Sequence, residues 1–207
     1  MSLSDLLRLW FKNTLEGIAR VILQLGISPN SITLLGLMGN LIASVFITLG
    51  MIQIGGLIVL IMGPLDAVDG TVARIGCGET KFGAFLDSIS DRYSEFFILG
   101  SLLVIFLRSN NWQACILVYI AAAGSLLVSY TRAKAESLGY SAKIGVLTRV
   151  ERYLVMAPAL ILNVPMIGLW IIAVFANFTA LQRIWQVWRQ VKNENQNKKN
   201  SLEKARN

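Results

Sequence analysis

Six long apolar runs leave this 207-residue chain little choice of architecture: most of it must lie in a lipid bilayer. The runs cover roughly residues 32–50, 54–73, 83–107, 112–132, 146–163 and 165–187. About 18–20 apolar residues in a helix cross the hydrocarbon layer. Backbone N–H and C=O groups find no water there, so each segment has to satisfy its own hydrogen bonds, and helices do this. Composition agrees: 55% of residues are apolar, 15% are charged, and the mean hydropathy is +0.59. The fold class expected is all-α integral membrane, with six transmembrane helices and an N-terminal amphipathic interfacial helix.

That first helix is read from residues 1–28. Leu3, Leu7, Phe11, Leu15, Ile18, Ile22 and Leu25 recur at helical spacing, with Arg8, Lys12, Glu16 and Arg20 between them. Such a pattern lies in the plane of the membrane surface, basic side chains toward the headgroups. No cleavable signal peptide is evident, because charge runs through this segment and no compact apolar core ends in small residues. Residues 29–190 form the six-helix domain, and the polar stretch 191–207, poor in aromatics, is expected to be a disordered tail.

Charge sets the orientation. Of the 19 Lys and Arg residues, only Arg108 lies in the three loops that join the first to the second run, the third to the fourth, and the fifth to the sixth. The positive-inside rule therefore puts both termini on the cytoplasmic face. It also accounts for a net charge of +7 without a nucleic-acid partner. Cys77 and Cys115 fall on opposite membrane sides in this topology and lack metal-ligand spacing, so both read as packing residues. With no histidine in the chain, a general base has to be a carboxylate, lysine, tyrosine or thiol.

The second and third runs carry four acids: Asp66, Asp69, Asp87 and Asp91. Each costs roughly 2.5–3.5 kcal/mol at mid-membrane depth, less near an end. The members of each pair stand three or four residues apart, so each pair projects from one helical face. A short cytoplasmic hairpin brings the two faces together. Four converging carboxylates make an all-oxygen site suited to Mg²⁺ or Mn²⁺. The same cluster could instead form intramembrane salt bridges, for which only Arg74 and Arg92 are close in sequence, or serve a cation-coupled transporter.

The residues between the pairs narrow the choice. From Asp66 the chain reads D-A-V-D-G-T-V-A-R, then eight residues, then G-A-F-L-D-S-I-S-D. Gly70 leaves room beside Asp69 for a bulky group, Ala73 keeps the helix surface low, and Arg74 offers a planar cationic fork suited to a diphosphate. Gly83 opens close approach at the start of the third run. Small residues such as Gly70, Ala73 and Gly83 also serve plain helix packing in membranes. The whole string resembles the signature D-x2-D-G-x2-A-R-x8-G-x3-D-x3-D of the CDP-alcohol phosphotransferase family, and the six-segment topology is similar too.

The resemblance implies a Mg²⁺-dependent enzyme, with Mn²⁺ a possible substitute and two ions held, that joins the phosphatidyl group of a CDP-linked lipid to an alcohol. It implies that Asp66, Asp69 and Asp87 hold metal, that Asp91 helps at the second ion, and that Asp91 takes the acceptor's proton. It further implies nucleotide or diphosphate contacts from Pro29, Asn30, Ser31, Ile32, Gly70, Ala73, Arg74 and Thr80, and a homodimer.

Further on, Y-T-R-A-K-A-E-S-L-G at 130–139, R-V-E-R at 149–152 and Q-R at 182–183 look like the branch of that family whose acceptor is inositol phosphate. Arg132, Arg152 and Arg183 match the three basic residues that bind the acceptor phosphate there, and glycerol 3-phosphate is the alternative acceptor. The branch commonly has lysine at 132, arginine at 134 and proline at 150, where this chain has Arg132, Lys134 and Val150. Glu95 extends the stripe of Asp87 and Asp91 by a turn and is expected either to pair with Arg92 or a basic residue on another helix, or to orient an acceptor arginine or hydroxyl.

Overall fold

A computed structural model describes residues 10–76, 78 and 80–206. These residues form seven helices: α1 (Lys12–Gln24), α2 (Pro29–Thr48), α3 (Ile52–Ile75), α4 (Lys81–Arg108), α5 (Trp112–Ser137), α6 (Arg149–Ile161) and α7 (Pro165–Arg206). Helices α2, α3, α5 and α7 are each long and apolar enough to cross a bilayer, which makes this a multi-pass membrane protein. Helix α4 has 28 residues but carries Lys81, Asp87, Asp91, Arg92, Glu95 and Arg108. Helix α6 has 13 residues, about 20 Å at the α-helical rise.

Local chemistry sets the helix ends. Pro29 opens α2, and Ser28 caps it by accepting the Ser31 N–H at 3.2 Å. Thr80 caps α4 through the Gly83 N–H, and Asn111 caps α5 through the Ala114 N–H. Three tight hairpins, at Gly50, Asn110 and Asn163, share one device. Each of these residues has positive φ, and paired backbone bonds such as Gly50 N–H to Ile47 O and Met51 N–H to Phe46 O close the helix behind it. This is the Schellman motif, which needs a residue tolerant of left-handed backbone and no charge.

The main core runs through α2 to α7 and centres on Ile47, Val59, Leu102, Leu160 and Leu169, interleaved with Ala43, Ala121, Ala157 and Ala176. Small residues let helix backbones approach where lipid supplies no hydrophobic drive between helices. Gly56 is the clearest case, since a Cβ there would press on the backbone of Leu160 and Ile161. A second cluster joins Ala19, Ile32, Val68 and Val72, with Leu15, Ile22, Leu23 and Leu65 around it. It seats α1 against the half of α3 that carries the acids.

Several boundaries differ from expectation. The described part of the first helix is α1 at Lys12–Gln24, while Leu3, Leu7 and Arg8 lie outside the described residues, as does Cys77. Its apolar face divides: Leu15, Ala19 and Ile22 pack inward, whereas Phe11, Ile18 and Leu25 stay exposed. Residues 146–148 precede α6 rather than joining it, because the loop before α6 is tied sideways to α7, where Thr179 Oγ1 accepts the Leu147 N–H at 3.0 Å.

The expected disordered tail is helical, with α7 continuing unbroken to Arg206. No glycine or proline interrupts residues 166–206 except Gly168, and an established helix propagates at low cost. The extension is also anchored. Gln190 accepts the Ser141 N–H at 3.0 Å and donates to Ser141 O at 2.6 Å, and the Tyr140 hydroxyl donates to Glu194 at 2.9 Å.

Candidate active site

The turn between α3 and α4 folds the two helices back on each other and brings their acids together. Asp66, Asp69 and Asp87 each place a carboxylate oxygen within 4.8 Å of the others. Asp69 is 5% exposed and held from two sides, its Oδ2 accepting from Thr33 Oγ1 at 2.6 Å and its Oδ1 from the Gly70 N–H at 2.6 Å. Asp87 Oδ1 is buried with no hydrogen-bond partner among the described residues. A buried carboxylate oxygen left in that state is costly unless a cation meets it. Three hard oxygen donors, one of them orphaned, fit a divalent ion such as Mg²⁺ or Mn²⁺.

Asp91 stands beside this set rather than in it. Its side chain is 9% exposed, Oδ1 is ion-paired with Arg149, and Oδ2 lies 3.4 Å from Arg92 Nη1. Arg149 also grips Asp66 in a two-pronged pair, Nη1 to Oδ2 at 2.6 Å and Nη2 to Oδ1 at 2.7 Å. This arginine, 83 residues from Asp66, is the functional residue that reading the sequence misses. Its only cue is its place in R-V-E-R, three residues before Arg152, which puts both on one side of α6. The salt-bridge alternative for the acid cluster is thus present in part, with α6 supplying the cation instead of Arg74.

The residues expected around a nucleotide flank the acids, and several have local duties. Arg74 is exposed, and its Nη2 donates to Thr71 Oγ1 at 3.0 Å. A Cβ on Gly70 would meet only the Arg74 guanidinium, at 3.3 Å, so the surface beside Asp69 is open. A Cβ on Gly83 would sit 2.9 Å from Thr80 Oγ1 and 3.0 Å from Asn30 Oδ1, which puts Gly83, Thr80 and Asn30 in one group. Ala73 is half-buried in the same stretch of α3. Pro29 and Ser31 take part in the start of α2. Ile32 is packed into the apolar cluster with 4% exposure and offers no side chain to a ligand.

The three arginines toward the end of the chain differ from one another. Arg152 is 3% exposed and forms a two-pronged pair with Glu95, Nε to Oε1 at 2.7 Å and Nη2 to Oε2 at 3.1 Å. Glu95 thus pairs with a basic residue on another helix. Arg183, also 3% exposed, donates to Val128 O and Ile144 O. No carboxylate among the described residues is ion-paired with it. Arg132 is exposed and paired with Glu136 at 2.9 Å. Arg132 and Arg152 lie near enough for their charges to act on Arg183. Arg183 is thus a buried guanidinium with no carboxylate in contact among the described residues.

Residues 26–186 match the sequence profile of the CDP-alcohol phosphatidyltransferase family, and the chain belongs to that family. It is 35% identical over 181 residues to an archaetidylinositol phosphate synthase of Pyrococcus horikoshii, a match covering 87% of this chain and 94% of that one. A phosphatidylinositol phosphate synthase of Mycobacterium marinum is 30% identical, with 86% of this chain and 81% of that one covered. Among solved structures, the phosphatidylinositol phosphate synthase of Mycobacterium tuberculosis with CDP-DAG bound superposes with a TM-score of 0.78. That match has 28% identity and covers 84% of this chain and 93% of that one. The same enzyme in complex with manganese and citrate gives a TM-score of 0.79, with 84% and 88% covered.

Proposed function

We propose that this chain transfers the phosphatidyl group of a CDP-linked lipid, CDP-diacylglycerol or its archaeal equivalent, to inositol phosphate, forming phosphatidylinositol phosphate and CMP. The observation that carries the reading is the meeting of Asp66, Asp69 and Asp87 across two membrane helices, with Asp87 Oδ1 left unpartnered. Asp66, Asp69 and Asp87, with Asp91 at the second ion, would hold two Mg²⁺ ions, replaceable by Mn²⁺, and the chemistry these would supply is charge neutralisation at the diphosphate and at the entering and leaving oxygens. Six helices cross the bilayer in this reading. The acids open to the cytoplasm, and α1 lies in the interface with Ile18 and Leu25 toward lipid.

The chain's own residues divide the remaining work. The open surface at Gly70 and Ala73 admits the cytidine, with Arg74, Thr80 and Asn30 near its phosphates. Arg183 supplies the charge for the acceptor's phosphate, Arg152 is held in place by Glu95, and Arg132, being exposed, can turn from Glu136 to join them. The acceptor hydroxyl oxygen forms a bond to the β-phosphorus, and the bond from that phosphorus to the bridging oxygen breaks. CMP departs with the electron pair, and the hydroxyl proton passes to Asp91. A carboxylate is a weak base at neutral pH, so its placement beside the reacting oxygen matters more than its basicity.

Product mass spectrometry tests the reading. Purified protein is offered a CDP-lipid with inositol phosphate, glycerol 3-phosphate, free inositol or serine in parallel. Phosphatidylinositol phosphate with equimolar CMP is expected. Product from glycerol 3-phosphate alone would move the assignment to a phosphatidylglycerol phosphate synthase. Product only from the unphosphorylated alcohols would remove the arginine trio from the acceptor site.

A further inference from the structure

Helix α3 runs from Ile52 to Ile75 with Pro64 inside it, and one turn before its first acid a side chain from another helix seats against its backbone. In a regular α-helix the Gly63 N–H would bond to Val59 O. Here the Gly63 N–H donates to the Tyr153 hydroxyl at 2.9 Å, and that hydroxyl donates onward to Val59 O. The phenol oxygen thus meets both the donor and the acceptor of that rung. The next rung is missing, because Pro64 has no N–H to offer Leu60 O. A proline inside a helix is a recognised cause of a kink. Gly63 is required at this point, since a Cβ there would overlap the Tyr153 ring.

The rest of α6 follows the same line down α3. Arg149, one turn before Tyr153, holds Asp66, and Leu160 packs on Gly56. The seam thus runs Arg149 to Asp66, Tyr153 to Gly63 and Val59, and Leu160 to Gly56. Tyr153 adjoins Arg152 in sequence and contacts α3 just ahead of the metal-ligand candidates. With the Pro64 rung missing, helical bonding alone holds the angle between the two halves of α3 less firmly. A hydroxyl that bonds to Gly63 and Val59 beside the gap adds a second hold.

We propose that Tyr153 is a positioning residue for the reaction: its hydroxyl, bonded to Gly63 and Val59 beside the rung that Pro64 removes from α3, sets the angle at which Asp66 and Asp69 meet Asp87. The idea rests on the metal-site reading above and is tested so that the two can fail separately. Purified wild type, Tyr153→Phe and Gly63→Ala are titrated with Mn²⁺ by electron paramagnetic resonance. Steady-state turnover at saturating Mn²⁺ is measured alongside.

Tyr153→Phe keeps the ring and loses the bridge, while Gly63→Ala keeps the hydroxyl and displaces the ring. Both are expected to weaken Mn²⁺ binding about 10-fold or more, the scale on which groups supporting metal ligands act. kcat should fall, and KM for the acceptor should stay within about 2-fold because Arg152 and Arg183 keep their own partners. A role confined to packing would lower thermal stability and leave Mn²⁺ affinity and kcat unchanged, and that result overturns the proposal. Absence of Mn²⁺ binding in the wild type would instead sink the metal site itself. If neither variant folds, an experimental structure of Mn²⁺-loaded wild type decides. Tyr153 Oη within hydrogen-bond distance of both Gly63 N and Val59 O is expected, and a Tyr153 hydroxyl that bonds to neither overturns the proposal.

Discussion

Arg149 dominates the electrostatics at the residue scale, because one guanidinium serves both Asp66 and Asp91. Its side chain is 40% exposed, so the pairs are discounted for solvent to about 1 kcal/mol. Replacing Arg149 with Gln should therefore lower the melting temperature of metal-free protein by about 2–4 °C. The rise in melting temperature on adding Mg²⁺ should become larger than in wild type, since the acids then rely on metal alone. Differential scanning fluorimetry with and without chelator checks both parts. Asp91→Asn should cut kcat by about 10²- to 10⁴-fold, the usual worth of a positioned general base, as read by CMP release. The meeting of Asp66, Asp69 and Asp87 was legible in the sequence because helical spacing and a short hairpin are local facts. Arg149 was not: no local rule joins residues 83 apart in the chain, and two arginines in one short motif do not reveal which meets Asp66 and which meets Glu95.

At the scale of elements, the helices do unequal work. The six apolar runs each mark a helix, and the caps at Ser28 and Thr80 lie where side-chain chemistry allows a start. What stayed hidden depends on packing. The shortness of α6 follows from the pull of Thr179 on Leu147, and the length of α7 from the bonds that tie Gln190 and Glu194 to the loop before α6. That loop also supplies Ile144 O to Arg183. Gln190→Ala removes two hydrogen bonds to Ser141, each worth about 1 kcal/mol. It should raise KM for inositol phosphate by about 5-fold or more and leave KM for the CDP-lipid unchanged in steady-state assays. Where α3 crosses α6, Gly56→Leu should destabilise the fold by about 1–3 kcal/mol through overpacking, measured as loss of folded protein on heating in detergent.

For the whole molecule, the proposed reaction needs chemistry where water and lipid meet. The acid-bearing halves of α3 and α4 lie at the same end as α1, whose inner face packs on Val68 and Val72 while Phe11, Ile18 and Leu25 remain exposed. A lipid-linked nucleotide and a water-soluble alcohol can reach one another only at such a boundary. The central claim is that two membrane helices share divalent ions through Asp66, Asp69 and Asp87. The most direct test is Mn²⁺ binding to purified wild type and to the Asp66→Asn, Asp69→Asn and Asp87→Asn variants, followed by electron paramagnetic resonance with and without CDP. Saturable binding that CDP tightens in the wild type, and that each substitution weakens severely, is the expected result. Mn²⁺ binding of equal strength in all four proteins, or none in the wild type even with CDP present, would contradict it.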